Sequence, residues 1–145
     1  HLVQQVTKEL LPRSLIVTPN TKELKVLAGD VDPRLLEASN DERALRLVKA
    51  GAKFVLVTGT HADSKDVENR LYDESGFVDS WSWPRLAGEY HGSGCTLASS
   101  ISGYLANGSS VVDAVFEAQQ FTWNSLQSGY RIGGGQLIPN RNKGK

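Results

Sequence analysis

The residues best suited to chemistry stand in one short run, His91-Gly92-Ser93-Gly94-Cys95-Thr96. It leads directly into the helical pattern Leu97-Ala98-Ser99-Ser100-Ile101-Ser102-Gly103-Tyr104-Leu105. Glycine lacks a Cβ, so the backbone at Gly92 and Gly94 can approach a ligand closely. The first turn of a helix holds N–H groups without intrahelical partners, at the positive end of the dipole. Together these features make an anion site suited to phosphate. Cys95, the chain's one cysteine, falls in that first turn, where the dipole favours a thiolate. The run thus combines an anion cradle with a candidate base or nucleophile. The alternative is a glycine-rich turn followed by a small buried cysteine, the common fate of a free thiol.

Two further groups of candidates lie upstream. Leu15-Ile16-Val17-Thr18 is an apolar, β-rich run that reads as a buried strand, followed by Pro19-Asn20-Thr21-Lys22-Glu23 and a helical pattern. Val57-Thr58-Gly59-Thr60-His61 falls at the end of a second apolar strand, where open α/β sheets place their ligands. His61 could touch such a ligand or cap a turn.

The elements that must position these residues follow from periodicity. Leu2, Val3, Val6, Leu10 and Leu11 recur at helical spacing, and Pro12 is expected to stop that helix. A helix is expected over residues 21–28 with Gly29 as its stop. Asp41 is expected to cap the next helix, whose Ala44, Leu45, Leu47 and Val48 face the core and which Gly51 ends. Residues 53–58 are almost continuously apolar, as in a strand covered on both faces. Residues 67–72 and 77–85 alternate and read as an antiparallel pair at the sheet edge. A helix over 94–106 stops at Asn107-Gly108, and Ser109 or Ser110 caps another that reaches Gly129. Ile132-Gly133-Gly134-Gly135-Gln136 reads as loop, and the last residues, 140–145, as a disordered tail. Trp81, Trp83 and Trp123 read as core or interface residues.

Composition narrows the function classes. A chain of 145 residues with 39% hydrophobic content can bury one real core. The formal net charge is +0, which gives no electrostatic case for nucleic acid or an anionic membrane as partner. One cysteine excludes an internal disulfide framework and suits a reducing compartment. No run is apolar and long enough to span a membrane, and no signal-peptide pattern is visible, so a cytoplasmic location is expected.

These motifs, in this order and spacing, resemble the hydroxymethylpyrimidine and phosphomethylpyrimidine kinases of thiamine biosynthesis, in the ribokinase-like superfamily. The family's T-P-N-x-x-E after a strand is matched by Thr18, Pro19, Asn20 and Glu23. Its Gly-Ala-Lys, apolar strand and Gly-x-His element is matched by Gly51-Ala52-Lys53, the strand, and Gly59-Thr60-His61. Its H-G-[ST]-G-C-T-L segment is matched from His91 to Leu97. The resemblance implies an α/β fold, the C-terminal part of a three-layer α/β/α ribokinase-like domain over residues 1–139. The N-terminal strands that supply most of the family's pyrimidine pocket have no counterpart here.

The activity it implies is transfer of the ATP γ-phosphoryl group to hydroxymethylpyrimidine and its monophosphate, a reaction governed by positioning and charge neutralisation. The amides of Gly92, Ser93, Gly94 and Cys95 would form the anion hole, and Cys95 would act as the base. Asn20, Thr58, Gly59 and His61 would contact nucleotide, and Glu23 would hold Mg²⁺ through water. The competing reading makes Asn20 a helix cap and Glu23 its capping-box partner, and the two can coexist. The family's usual K-G-G-H has Thr58 in place of its lysine, a departure toward the T-G-x-x-D loop of hydroxyethylthiazole kinases, here Thr58, Gly59 and Asp63. Gly133 to Gly135 fall where the family closes over adenine. Pyridoxine or hydroxyethylthiazole kinase, or a non-catalytic nucleotide- or partner-binding remnant, are the alternatives. Strands expected to lack neighbours on one side leave open edges and apolar surface, so a homo-oligomer is expected.

Overall fold

The computed structural model describes residues 2–60, 63–87, 92–131 and 134–142. It comprises two compact units, 1–84 and 85–145.

The first unit is built on a four-stranded sheet in the order β1-β2-β3-β4, with β1 Ile16–Val17, β2 Phe54–Val57, β3 Asp66–Asp73 and β4 Gly76–Pro84. β1 pairs with β2 in parallel, and the remaining pairs are antiparallel, with the β3–β4 hairpin at the edge. Val55, Leu56 and Val57 are all fully buried, so this short apolar run is covered on both faces. Val55, Val57 and Tyr72 form one core with Leu11, Leu24, Ala44, Leu47 and Ala52. Leu24 lies on α2 (Thr21–Val31), and Ala44 and Leu47 lie on α3 (Asn40–Lys49).

Several boundaries differ from the expectations, each for a local reason. The N-terminal helix is not one continuous α-helix. α1 (Leu2–Gln5) widens into a π turn over Val6–Leu10, and Pro12 stands inside a 3-10 turn, Leu11–Arg13, instead of stopping the helix. The Thr7 hydroxyl lies 3.2 Å from both Val3 O and Gln4 O and donates to Asp30 of α2. Such back-bonding competes with the regular ladder.

Gly29 does not end α2. Asp32, extended ahead of Pro33, ends it, because the proline ring disfavours the helical region for the preceding residue. Gly29 makes room for a neighbour instead, since a Cβ there would stand 2.5 Å from Leu36 Cδ2. The cap of α3 is Ser39, one turn-half earlier than Asp41. Its Oγ accepts the Glu42 N–H, and Glu42 returns a bond to the Ser39 N–H at 2.8 Å. Asp41 is thereby free to accept from the Tyr72 hydroxyl on β3.

The second unit holds α4 (Ser93–Ala106) packed on α5 (Val111–Gln127) and a two-stranded ribbon, β5 (Tyr130–Arg131) with β6 (Leu137–Ile138). Ser110 is the α5 cap, accepting the Asp113 N–H at 3.2 Å. The ribbon flanks the expected loop, whose described residues 134–136 hold no strand or helix, and its two strands pair across it. Buried Gln119, Thr122 and Ser125 satisfy themselves on carbonyls four residues back along α5. The tail expected to be free from residue 140 is held at its start, where the Asn140 N–H donates to Ser125 O at 2.8 Å. Trp81, Trp83 and Trp123 are half-buried. Among the described residues no helix is long and apolar enough to cross a membrane.

α3 and β3 are joined through a side-chain network. Arg70 Nε donates to the Tyr72 hydroxyl at 3.0 Å, lies 3.6 Å from Asp41 and sits 4.7 Å above the Phe77 ring. Burial, reinforced by the bond to Asp41, pushes the Tyr72 pKa up to about 12 from 10.0. The folded state therefore favours the neutral phenol. This contribution is intact below about pH 10 and is lost as pH rises through about 12. Tyr72→Phe should cost about 1 kcal/mol at neutral pH. Its stability gap to the parent in urea unfolding should shrink above about pH 10; a gap independent of pH would contradict this.

Candidate active site

One group of expected site residues assembles where β1 and β2 end. The chain leaves β1 through Thr18 and the buried Pro19, and Asn20 then opens α2. Asn20 and Thr58 form an isolated parallel bridge, and the Thr58 N–H donates to Pro19 O at 3.0 Å. This brings Asn20 and Thr58 side by side. The Asn20 Oδ1 accepts the N–H groups of Lys22 (3.0 Å) and Glu23 (2.9 Å), while Glu23 Oε2 accepts the Asn20 N–H at 3.0 Å. The capping-box reading is therefore the one the hydrogen bonds express. It still leaves Glu23 exposed, with Oε1 unbonded among the described residues. Beside this junction lies a mostly apolar groove of about 530 Å³ formed by Val3, Val6, Val17, Val26 and Leu27 together with Thr18, Pro19, Lys22 and Glu23.

Gly59 follows Thr58 with φ +67°, and beyond its chain neighbours no described residue lies within 4 Å of where a Cβ would be. Its N–H is not available to a phosphate, because it donates to Asn69 Oδ1 at 3.0 Å. Asn69 is a contributor that sequence reasoning missed; one asparagine inside an otherwise ordinary strand was its only signal. His61 lies outside the described residues, as do His91 and Gly133.

The other group is the start of α4. Gly92 is the N-cap, with φ 86°, a left-handed conformation that favours glycine, and no side-chain cap bond is made. The first helical bond runs from the Thr96 N–H to Gly92 O at 2.9 Å. Among the described residues nothing accepts from the N–H groups of Ser93, Gly94 and Cys95. Beyond its own helix, no described residue lies within 4 Å of where a Cβ on Gly94 would be. Cys95 is exposed, which removes the reading of a buried packing thiol.

A cation also stands here. Arg141 Nε donates to Thr96 Oγ1 at 2.9 Å, and Thr96 Oγ1 donates to Gly92 O at 2.8 Å. A Cβ on Gly92 would lie 3.2 Å from Arg141 Nη2. Arg141 falls in the tail that was expected to be disordered, and nothing in its local pattern announces it. Its guanidinium adds positive charge beside amides that already form the positive end of a dipole, an arrangement whose charge suits an anion.

The mixed sheet and its helices make an α/β arrangement, and likeness to solved small-molecule kinases gives the fold class as ribokinase-like. The pyridoxal kinase of Staphylococcus aureus, solved with AMP-PCP, superposes with a TM-score of 0.82 at 27% identity, covering 96% of this chain and 51% of that one. A hydroxymethylpyrimidine/phosphomethylpyrimidine kinase of Streptomyces coelicolor is 35% identical over 136 residues, which is 92% of this chain and 48% of that protein. A thiamine biosynthesis bifunctional protein of Geobacter sulfurreducens is 33% identical over 134 residues, 92% of this chain and 27% of that protein. The chain thus spans about half the length, or less, of these relatives. The phosphomethylpyrimidine kinase family matches residues 1–140, and the chain belongs to that family.

The cap at Asn20 gives a direct test of this junction. Asn20→Ala should lower stability by about 1 kcal/mol through loss of the α2 cap, read as a shift of the urea midpoint with unchanged slope. An unchanged midpoint would show that the junction does not rely on the Asn20 side chain.

Proposed function

We propose that this chain takes part in ATP-dependent phosphoryl transfer to hydroxymethylpyrimidine and its monophosphate. One observation supports it above the others: a glycine-opened helix start whose N–H groups at Ser93, Gly94 and Cys95 have no acceptor among the described residues, with an exposed thiol in the same turn. These amides, with Gly92, would hold the transferring phosphoryl group as charge spreads over its oxygens. Cys95 would accept the proton of the attacking hydroxyl. Arg141 would add a cation to the same anion site.

Thr58 and Gly59 would face the nucleotide at the strand ends, with Asn20 holding Thr58 in place. Among the described residues no group of three or more His, Cys, Asp or Glu side chains could hold a metal by itself. An exposed Glu23 with a spare oxygen suits Mg²⁺ held mainly by phosphates and water. When bound, that ion would neutralise phosphate charge. A pyridoxine-type substrate is the second reading, favoured by the likeness to the pyridoxal kinase structure. Exposed Leu2, Leu10, Leu15 and Val26, with β1 at the sheet edge, offer apolar surface for a homo-oligomer. A reducing, cytoplasmic setting suits the exposed thiol.

The reaction is best assayed in a polypeptide of full family length that carries this chain, with hydroxymethylpyrimidine and pyridoxine offered in parallel. Cys95→Ala should lower kcat by about 10²-fold or more and leave the ATP KM nearly unchanged, since the anion hole is made of backbone amides. A near-normal kcat would remove Cys95 from the role of base. Glu23→Gln keeps an oxygen for the capping box but loses the charge. It should raise the Mg²⁺ concentration needed for half-maximal rate while leaving the melting temperature within error. An unchanged Mg²⁺ titration would leave Glu23 as a cap alone.

A further inference from the structure

Asn69 is a polar side chain only 7% exposed, on the same face of β3 as the fully buried Leu71. Burying an amide is costly unless it is hydrogen-bonded, and an apolar residue would serve the strand as well. What Asn69 does is act on another segment, through the bond from the Gly59 N–H to its Oδ1 at 3.0 Å. The adjacent Glu68 carbonyl accepts from the Thr60 N–H at 2.9 Å and from Thr60 Oγ1 at 3.1 Å. On the other side, the Thr58 N–H is held by Pro19 O at 3.0 Å.

All three backbone N–H groups of the turn at residues 58–60 are therefore committed to protein acceptors. The turn cannot cradle an anion with its amides. What it presents is Gly59, where an added Cβ would meet no described residue within 4 Å beyond its chain neighbours, and the Thr58 hydroxyl. Glycine at φ +67° has many other conformations available, and the Asn69 bond selects this one. We infer that Asn69 is a positioning residue for nucleotide: it holds the 58–60 turn so that the Gly59 face and Thr58 hydroxyl meet a nucleoside triphosphate. The inference rests on the reading of Thr58 and Gly59 as nucleotide contacts.

The test uses the 145-residue chain, with MgATP binding followed by calorimetry and amide exchange of Gly59 by NMR. Asn69→Leu should weaken MgATP binding about tenfold or more and speed Gly59 exchange by a similar factor, as for loss of one well-placed hydrogen bond. Asn69→Asp keeps an acceptor oxygen and should restore protection of the Gly59 amide. Leu47→Val, which loosens the core of the same unit from a position on α3 outside the turn, should leave binding within about twofold of the parent. Should Asn69→Leu fail to fold, Asn69→Ser, too short to reach Gly59, has the same expected effects.

Faster Gly59 exchange with unchanged affinity would overturn the positioning role. So would equal weakening by Asn69→Leu and Leu47→Val, which would make Asn69 purely structural. Failure of the parent chain to bind MgATP would overturn the nucleotide reading itself, and the inference with it; the exchange data separate that outcome from the other two.

Discussion

The first unit depends on how the backbone is satisfied where β1 gives way to α2. A strand leaving a sheet and a helix beginning both strand polar groups without partners, and buried backbone tolerates few such orphans. Asn20 resolves both at one residue. Its backbone bridges to Thr58, continuing the parallel pairing of Ile16 with Phe54 and Val17 with Val55. Its side chain caps two amides of α2 while Glu23 closes the box. The cap is worth only about 1 kcal/mol, yet it fixes the direction in which α2 departs and the position of the turn after β2. Val55, Val57, Leu24 and Leu47 can share a core because that geometry is set.

The two glycine-bearing segments use glycine to opposite ends. At residues 58–60 glycine permits a turn whose amides are then fully used by the protein, leaving an open carbon surface. At α4, glycine at the N-cap withholds the side chain that would ordinarily satisfy the first amides, so among the described residues those amides have no acceptor. A serine or aspartate at position 92 would stabilise the helix and compete with a ligand for the same N–H groups. The absence of a capping side chain costs local stability, and such under-satisfied helix ends suit binding sites.

Much of this was legible in the sequence because it depends on neighbours along the chain. The β2 strand, the β3–β4 hairpin, the α4 start and the Asn20–Glu23 box are all encoded within a few residues. The errors arose where a residue's role is set from outside its own segment. Gly29 reads as a helix stop, but it is small because Leu36 packs against it. Asp41 reads as a cap, but Ser39 and Glu42 already close that end and Asp41 answers Tyr72, 31 residues away. Pro12 lies in a 3-10 turn next to Gly51, whose Cβ would fall 2.7 Å from Pro12 Cα. Asn69 and Arg141 belong to the same class. Their partners, Gly59 and Thr96, are 10 and 45 residues distant, and no periodicity can report such pairs.

The distribution of charge follows from the same geometry. The family pattern places a lysine where this chain has Thr58, so the turn after β2 contributes a neutral hydroxyl. A neutral donor aids a phosphate by a hydrogen bond, roughly half as strong as one from a charged donor. The cation beside an anion-ready segment is instead Arg141, fixed through Thr96 at the start of α4. A guanidinium at the positive end of a helix is unfavourable by itself, since both repel further positive charge. The arrangement becomes favourable when an anion lies against it, where the dipole, the free amides and the guanidinium act in the same direction. Charge thus concentrates at the helix start, where the transferred group would develop it, and the turn after β2 is left to shape and hydrogen bonding.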